Sequence, residues 1–227
     1  MRPNYTHLKD HSIFKFHDLE VETTPTGRFY KTPEGNLYPS VTTVLGAQKN
    51  EGLLRWRKWV GNEEADRIMH HASTRGTALH EAVERYCDNE EEYFAPGEMP
   101  HVKSMFKSIE PQLKNIGVIA VQEAPLYSDF LGLAGRVDLI GEWDGVPSIV
   151  DFKTSSRRKK KSEIKSYFMQ ATAYAHMFEE RTNVAVDRLV ILMAVENDPE
   201  PLVFIEDDML KWVDPLIKAI QDYKKDR

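Results

Sequence analysis

The side chains best suited to chemistry lie in one stretch, residues 136–174. Two short apolar runs, 137–140 and 148–152, flank the turn-prone sequence Trp-Asp-Gly-Val-Pro, and this pattern predicts a β-hairpin. Because side chains alternate along a strand, Asp138 on the first arm and Asp151 with Lys153 on the second point into one space. Gln170 and Tyr174 follow at i, i+4 spacing, so they share one face of the next predicted helix.

Two neighbouring carboxylates repel each other, so Asp138 and Asp151 are costly to place together unless a cation or a proton lies between them. Carboxylate oxygens suit a hard divalent ion such as Mg²⁺, which is often held by one or two carboxylates plus substrate phosphate. Lys153 can orient or deprotonate an attacking water, or neutralise charge at the phosphorus centre. A lone Asp-x-Lys is usually a solvated ion pair, but this combination favours metal-assisted phosphodiester hydrolysis.

The segments 135–138 (GRVD), 151–154 (DFKT) and 170–174 (Gln-x-x-x-Tyr) together resemble the PD-(D/E)XK nuclease superfamily in its RecB-like branch. Upstream, a Gly-x-x-x-His segment ends at His80, and a Ser-Val-Thr element begins at Ser40. The similarity extends from about residue 40 to residue 206 and is greatest to the mitochondrial genome maintenance exonuclease family with its phage and bacterial relatives. One departure is that no proline precedes Asp138, a position that is loose in the superfamily.

This resemblance implies the site residues. It assigns metal binding to His80, Asp138, Asp151 and the backbone carbonyl of Phe152, and catalysis to Asp138, Asp151, Lys153, Gln170 and Tyr174. The cofactor is expected to be Mg²⁺ or Mn²⁺, and an imidazole ligand makes Mn²⁺ a good activator. Two further acids stay open: Glu123 either faces the site or bonds nearby backbone, and Glu84 either supports the site or is solvated.

Seven residues are candidates for contact with nucleic acid: Ser40, Thr42, Arg55, Arg75, Thr154, Arg157 and Lys159. For Ser40, plain helix capping is the alternative to a phosphate contact. The segment 52–60 (GLLRWRKWV) has two interpretations. Its interleaved basic and aromatic residues are typical of single-strand binding, whereas the spacing of Leu53, Trp56, Trp59 and Val60 predicts an apolar stripe that packs in the core. The core interpretation is preferred for the stripe.

Amino-acid composition limits the class of protein. The 227 residues are 41% hydrophobic and 29% charged, which is ordinary for a globular protein. The net charge of −6 is segregated: residues 81–98 hold seven acids and one base, whereas residues 151–165 hold two acids and seven bases. A basic surface beside the hairpin is therefore compatible with an acidic total. The single cysteine excludes a disulfide framework and a cysteine-ligated iron–sulfur cluster.

We expect an α/β fold with a PD-(D/E)XK nuclease core: a central mixed β-sheet of about five strands flanked by helices, with a helical N-terminal elaboration. The whole chain, 1–227, is expected to be a single nuclease domain, in which 1–75 forms the elaboration and possible DNA-gating helices and 76–227 forms the catalytic core. Residues 62–90 are predicted to be helical, with a break near residues 73–76.

The predicted function is a metal-dependent exonuclease that cuts single-stranded DNA, leaves a 5′-phosphate and serves DNA replication, recombination or repair. Its expected partners are single-stranded DNA and replication or recombination proteins, with no membrane contact and a monomeric state. The sequence start resembles neither a signal peptide nor a transit peptide, which favours the cytoplasm of a bacterial or phage-infected cell. Two alternatives stay open: a λ-type exonuclease that processes duplex ends, and a non-catalytic DNA-binding module on the same fold.

Overall fold

The computed structural model describes residues 2–8, 12–48 and 51–225. Its strands are β1 (Glu20–Thr24), β2 (Gly27–Lys31), β3 (Leu37–Pro39), β4 (Ile116–Ser128), β5 (Leu133–Trp143), β6 (Val146–Ser155), β7 (Arg188–Val195) and β8 (Leu202–Glu206). Its α-helices are α1 (Val41–Gly46), α2 (Glu51–Val60), α3 (Asn62–Cys87), α4 (Pro100–Leu113), α5 (Lys165–Thr182) and α6 (Leu210–Lys225). Short 3₁₀ helices lie at Ser12–Phe14 and Lys161–Glu163.

The main sheet has five strands in the order β4-β5-β6-β7-β8. Three neighbouring pairs are antiparallel, and β6 with β7 is parallel. A parallel pair needs a crossover connection because its strands start at the same edge of the sheet, and α5 supplies it between β6 and β7. The sheet is therefore mixed, as predicted.

Helices cover both faces of this sheet. On one face, α1, α5 and α6 pack with the apolar side chains that include Ile140, Ile149 and Ile191; on the other, α3 and α4 pack with Leu139, Val150 and their neighbours. Because β7 is covered on both faces, it reads as a continuous apolar run, all of it buried after Arg188. The predicted α/β architecture is confirmed.

A second, antiparallel sheet of three strands, in the order β1-β2-β3, lies beside the start of β5. A bridge between Ser40 and Ala134 connects the two regions. Tyr30 on β2 is buried, so one face of the small sheet packs against the core. This placement brings β2 close to the first half of β5, which leads to Asp138.

The predicted helix break near residues 73–76 is wrong, because α3 runs without interruption from Asn62 to Cys87. A glycine inside a helix costs only about 1 kcal/mol relative to alanine, which packing easily overrides. Here Arg75 and Leu79 are both buried beside Gly76, and the Arg75 guanidinium lies 2.7 Å from the Glu196 carboxylate. These contacts anchor the middle of the helix to the core.

The prediction that α2 buries an apolar stripe is also wrong. Trp59 is 84% exposed and Leu53 is 39% exposed, while Trp56 and Val60 are half-buried. The helix packs mainly against the first half of α3, which is itself largely exposed, so among the described residues its stripe does not join the apolar core. Apolar periodicity predicted the helix correctly, but it could not show whether a core lies beneath it.

Candidate active site

The hairpin places Asp138 and Asp151 where β5 and β6 stop pairing. Their ladder runs from Trp143 with Val146 to Leu139 with Val150, and one further step would set Asp138 opposite Asp151. Instead, the Phe152 amide donates to Asp138 Oδ2 at 2.8 Å. A side-chain acceptor thus replaces the missing ladder bond, and both acids lie on one face, as alternation along the strands predicts.

Lys153 is paired with Asp151 inside the protein. Its ammonium lies 2.6 Å from Oδ1 and 2.5 Å from Oδ2 of Asp151, which is only 1% exposed. Burial raises the pKa of Asp151, and the Asp138 carboxylate adds to this. Burial opposes the charge on Lys153, but the Asp151 and Asp138 carboxylates together raise the pKa of the lysine. The lysine is therefore a cation held at a fixed position by Asp151.

His80 reaches the same point from α3. Its Nε2 lies 2.7 Å from the Phe152 carbonyl oxygen, and its Nδ1 lies 3.6 Å from Asp138 Oδ1. Donation from Nε2 leaves Nδ1 as the ring atom that faces the acid. The structure thus brings together His80, Asp138 and the Phe152 carbonyl, which the sequence placed in one metal site.

Glu123, which sequence reasoning left open, faces the site. Its backbone φ of +47° is uncommon for a non-glycine residue, and its carbonyl accepts a hydrogen bond from the Arg136 guanidinium. Burial first, and then the Asp138 and Glu84 carboxylates, raise the pKa of Glu123 to about 8. The sequence offered no signal for the unusual backbone turn that aims this side chain.

The residues fit a divalent cation. One ligand atom each from His80, Glu123 and Asp138 lies within 4.8 Å of the others, the one such group in the described part of the chain. Two carboxylates and an imidazole are ligands that Mg²⁺ and Mn²⁺ accept. Asp151 Oδ2 is buried on the same face, where the Lys153 ammonium lies 2.5 Å away. An ion here would offset the repulsion that helps to raise the pKa values of Glu123 and Asp151.

The site opens into a cavity of about 410 Å³. It lies between the small sheet, α3 and the strands β4 and β5, and it is lined by Arg28, Gly76, Thr77, His80, Glu81, Glu84, Glu123 and Asp138. Four of these eight residues are acids. A space of this size holds a nucleotide-sized group.

Comparison with known proteins identifies the family. A profile described as PD-(D/E)XK nuclease superfamily matches residues 47–223. The chain belongs to this superfamily. Membership confirms the predicted family and the coarse function, a nuclease, and nucleases of this superfamily typically use divalent metal ions.

Individual relatives of this PD-(D/E)XK nuclease are distant. Mitochondrial genome maintenance exonuclease 1 of Homo sapiens is 23% identical over 197 residues, which cover 78% of this chain and 57% of that protein. The chain therefore spans little more than half the length of that relative. A solved structure described as "Crystal structure of SSO0001" is 13% identical with a TM-score of 0.43, over 82% of this chain and 74% of that one.

In the candidate site, α5 contributes Gln170 and Tyr174, which lie next to each other as their spacing predicts. Gln170 Nε2 lies 3.5 Å from the Tyr174 hydroxyl, and both side chains are buried. The Tyr174 ring lies so close to Gly135 that a Cβ there would be 2.8 Å from ring Cε1. Sequence reasoning missed Tyr167, one helical turn before Gln170, whose ring centroid is 5.2 Å from the Lys153 ammonium.

The N-terminal candidates for DNA contact divide into buried and exposed residues. The Ser40 hydroxyl is buried and caps α1 by accepting from the Thr43 amide at 2.9 Å, the capping alternative that the sequence left open. Thr42 is exposed next to it, and Arg55 is exposed on α2. Arg75 is 5% exposed and paired with Glu196, a position that does not favour contact with phosphate.

The basic run 157–161 is largely neutralised by the protein itself. Arg157 pairs with Glu163 at 2.5 Å, Arg158 with Asp198 at 2.8 Å and Lys161 with Glu206 at 3.2 Å. Lys159 differs, because its ammonium donates to the Tyr167 hydroxyl at 3.1 Å and lies over that ring.

Thr154 is half-buried on β6, and its hydroxyl faces Gly76 of α3. Of the three downstream candidates, Lys159 is therefore the most available to a phosphate near the site. The assignments of Thr154, Arg157 and Lys159 to DNA stay predictions.

None of the helices in the described part of the chain combines the length and apolarity needed to cross a bilayer.

Proposed function

We propose that this PD-(D/E)XK nuclease is a metal-dependent exonuclease that hydrolyses single-stranded DNA. The observation that carries the proposal is the convergence of His80, Glu123 and Asp138 beside the buried Asp151–Lys153 pair. Binding alone does not require a lysine and two acids buried together, because a buried ion pair is usually no more stable than an apolar replacement.

Each side chain has a role that its geometry supports. His80, Asp138 and Glu123 would hold Mg²⁺ or Mn²⁺, together with Asp151 and the Phe152 carbonyl. When bound, such an ion supplies positive charge at the phosphate and a more acidic water. Asp151 fixes the Lys153 ammonium, which orients the attacking water and offsets charge that develops on the phosphate oxygens. The Tyr167 ring centroid lies 5.2 Å from the Lys153 ammonium, and Lys159 donates to the Tyr167 hydroxyl at 3.1 Å.

The choice of single-stranded DNA rests on α2. Trp59 is 84% exposed and Leu54 is 65% exposed, and the same helix carries the exposed cations Arg55 and Lys58. Aromatic rings stack on unpaired bases, which a duplex hides, and interleaved cations meet the backbone. The similar human protein is by its name an exonuclease. A role in DNA replication, recombination or repair is part of the proposal.

The test uses linear and circular single-stranded DNA and duplex DNA, labelled at either end, with Mg²⁺, Mn²⁺ or EDTA. We expect metal-dependent shortening of linear single strands from an end, intact circles, slow attack on duplexes and products with a 5′-phosphate. Lys153→Met removes the cation while keeping the length of the side chain, and it should abolish cleavage.

Three results would contradict the proposal. Preference for duplex ends would indicate a λ-type exonuclease, and cleavage of circles would indicate an endonuclease. Binding of DNA that does not depend on a metal, with no cleavage under any condition, would indicate a DNA-binding module.

A further inference from the structure

One cation in the acidic cavity belongs to the small sheet and not to the nuclease core. Arg28 of β2 lines the same cavity as His80, Glu123 and Asp138. No motif in the sequence marks this residue, which lies more than a hundred positions before the hairpin. The fold brings it there by placing the small sheet beside the start of β5.

The backbone of Arg28 is fixed on both sides. Its amide donates to Thr43 Oγ1 at 2.9 Å, and its carbonyl accepts from the Ser40 amide at 2.8 Å. Gly27 before it has a φ of +136°, and a Cβ there would lie 2.2 Å from Thr43 Cγ2, so the turn packs closely on α1. Tyr30, which shares the Arg28 face of the strand, is buried. Arg28 is thus presented from a rigid support.

The guanidinium itself is left available. Within residues 2–8, 12–48 and 51–225 it has neither an ion pair nor a hydrogen bond, although four carboxyl groups line the cavity. Several other arginines in this part of the chain are paired, including Arg57 with Asp66 at 2.7 Å and Arg158 with Asp198 at 2.8 Å. Arg28 is also exposed, so it is accessible to a ligand that enters the cavity.

We propose that Arg28 binds a phosphate of the DNA strand while that strand lies in the catalytic cavity. This inference rests on the proposed function. A guanidinium presents paired N–H groups that match two phosphate oxygens, which a lysine ammonium cannot reproduce. A strand that approaches Glu81 and Asp138 meets like charge on one wall of the cavity. Arg28 supplies the opposite charge and sets where the strand lies relative to the metal site.

The test compares Arg28→Gln and Arg28→Lys with Lys31→Gln in the otherwise unchanged protein. Lys31 lies on the same strand and pairs with Glu20 at 3.0 Å, so its loss removes one positive charge without touching the cavity. Affinity for a short single strand is measured by fluorescence anisotropy in EDTA, where metal-dependent cleavage is absent. The kcat/KM for cleavage with Mg²⁺ gives a second readout.

We expect Arg28→Gln to weaken binding and lower kcat/KM about 10- to 100-fold, the range for a charged hydrogen-bonded contact. Arg28→Lys should recover only part of this loss, and Lys31→Gln should stay within about threefold of the wild type. Equal effects of Arg28→Gln and Lys31→Gln would overturn the inference, because they would show only a dependence on net charge. Thermal unfolding confirms that each variant is folded.

A phosphate scan gives the specific test. Each phosphate of the strand is replaced in turn by a neutral methylphosphonate. At the phosphate that Arg28 contacts, the methylphosphonate should weaken binding by the wild type. The same replacement should not weaken binding by Arg28→Gln any further, so the effects of the two changes are not additive. Additive losses at every position would refute the contact. If the wild type neither binds nor cleaves single strands, the proposed function itself fails; if it does both and Arg28→Gln behaves like the wild type, only this inference fails.

Discussion

Replacement of Glu123 by glutamine should change how the stability of the metal-free protein depends on pH. Burial and the nearby acids raise the pKa of Glu123 to about 8, compared with 4.5 for the free side chain. The folded state therefore binds this proton more tightly than the unfolded chain does. As a result, the free energy of unfolding falls as pH rises from about 4.5 to about 8, where Glu123 ionises in the folded protein.

The size of the effect follows from the two pKa values. At about 1.4 kcal/mol for each pH unit between them, ionisation of Glu123 costs the folded state at most about 5 kcal/mol. Relaxation of the neighbouring side chains reduces this cost, so we expect a loss of about 2–4 kcal/mol. Glu123→Gln keeps the shape of the side chain and cannot ionise. Between about pH 4.5 and pH 8, its free energy of unfolding should therefore fall by about 2–4 kcal/mol less than that of the wild type.

Urea unfolding in EDTA at about pH 5, 7 and 8.5 measures the difference. Asp151 and Glu84 also have raised pKa values, so a smaller decline in the same direction should persist in Glu123→Gln. If the two proteins lose the same stability between about pH 5 and pH 8.5, Glu123 is not the group that retains the proton, and the electrostatic account of the site is wrong.

Three further changes test separate parts of the structure. Mn²⁺ should raise the Tm of the wild type at about pH 8, whereas His80→Ala, which removes a ligand atom from the group of three, should show a much smaller rise by differential scanning fluorimetry. Gly135→Ala should cost about 1–3 kcal/mol in urea unfolding and also lower activity, because its Cβ forces the Tyr174 ring out of place; unchanged stability would mean that the ring moves freely. Trp59→Ala should leave the Tm nearly unchanged, because the ring is exposed, while weakening single-strand affinity by about 1–3 kcal/mol; a large fall in Tm would restore the core interpretation.

The parts of the site that follow local rules could be predicted from the sequence. Alternation along two strands placed Asp138 and Asp151 together, and the turn between them appears as Asp144-Gly145 with both φ angles positive. The i, i+4 spacing placed Gln170 beside Tyr174. These relations depend only on the periodicity of a strand or a helix, so they do not depend on how the rest of the chain folds.

The parts that depend on tertiary packing could not be predicted. Glu123 turns into the site through a backbone conformation that no neighbouring residue signals, and Arg28 arrives from a separate sheet. The stripe on α2 has the periodicity of a core helix, yet Trp59 is exposed because the helix packs mainly against α3 and not on the apolar core of the described residues. Periodicity reports which residues share a face, whereas only the fold decides what that face contacts.

The three acids of the site differ in how their charges are stabilised in the metal-free protein. Asp138 and Asp151 lie where the strands separate, and each is held by a specific donor, the Phe152 amide for one and the Lys153 ammonium for the other. Glu123 has no such carboxylate donor in the described residues, and its pKa is raised to about 8. At the proposed metal site, a divalent cation would replace the proton that Glu123 otherwise retains, so metal binding should release protons below about pH 8. Metal affinity should therefore rise with pH over the range in which the metal-free protein loses stability.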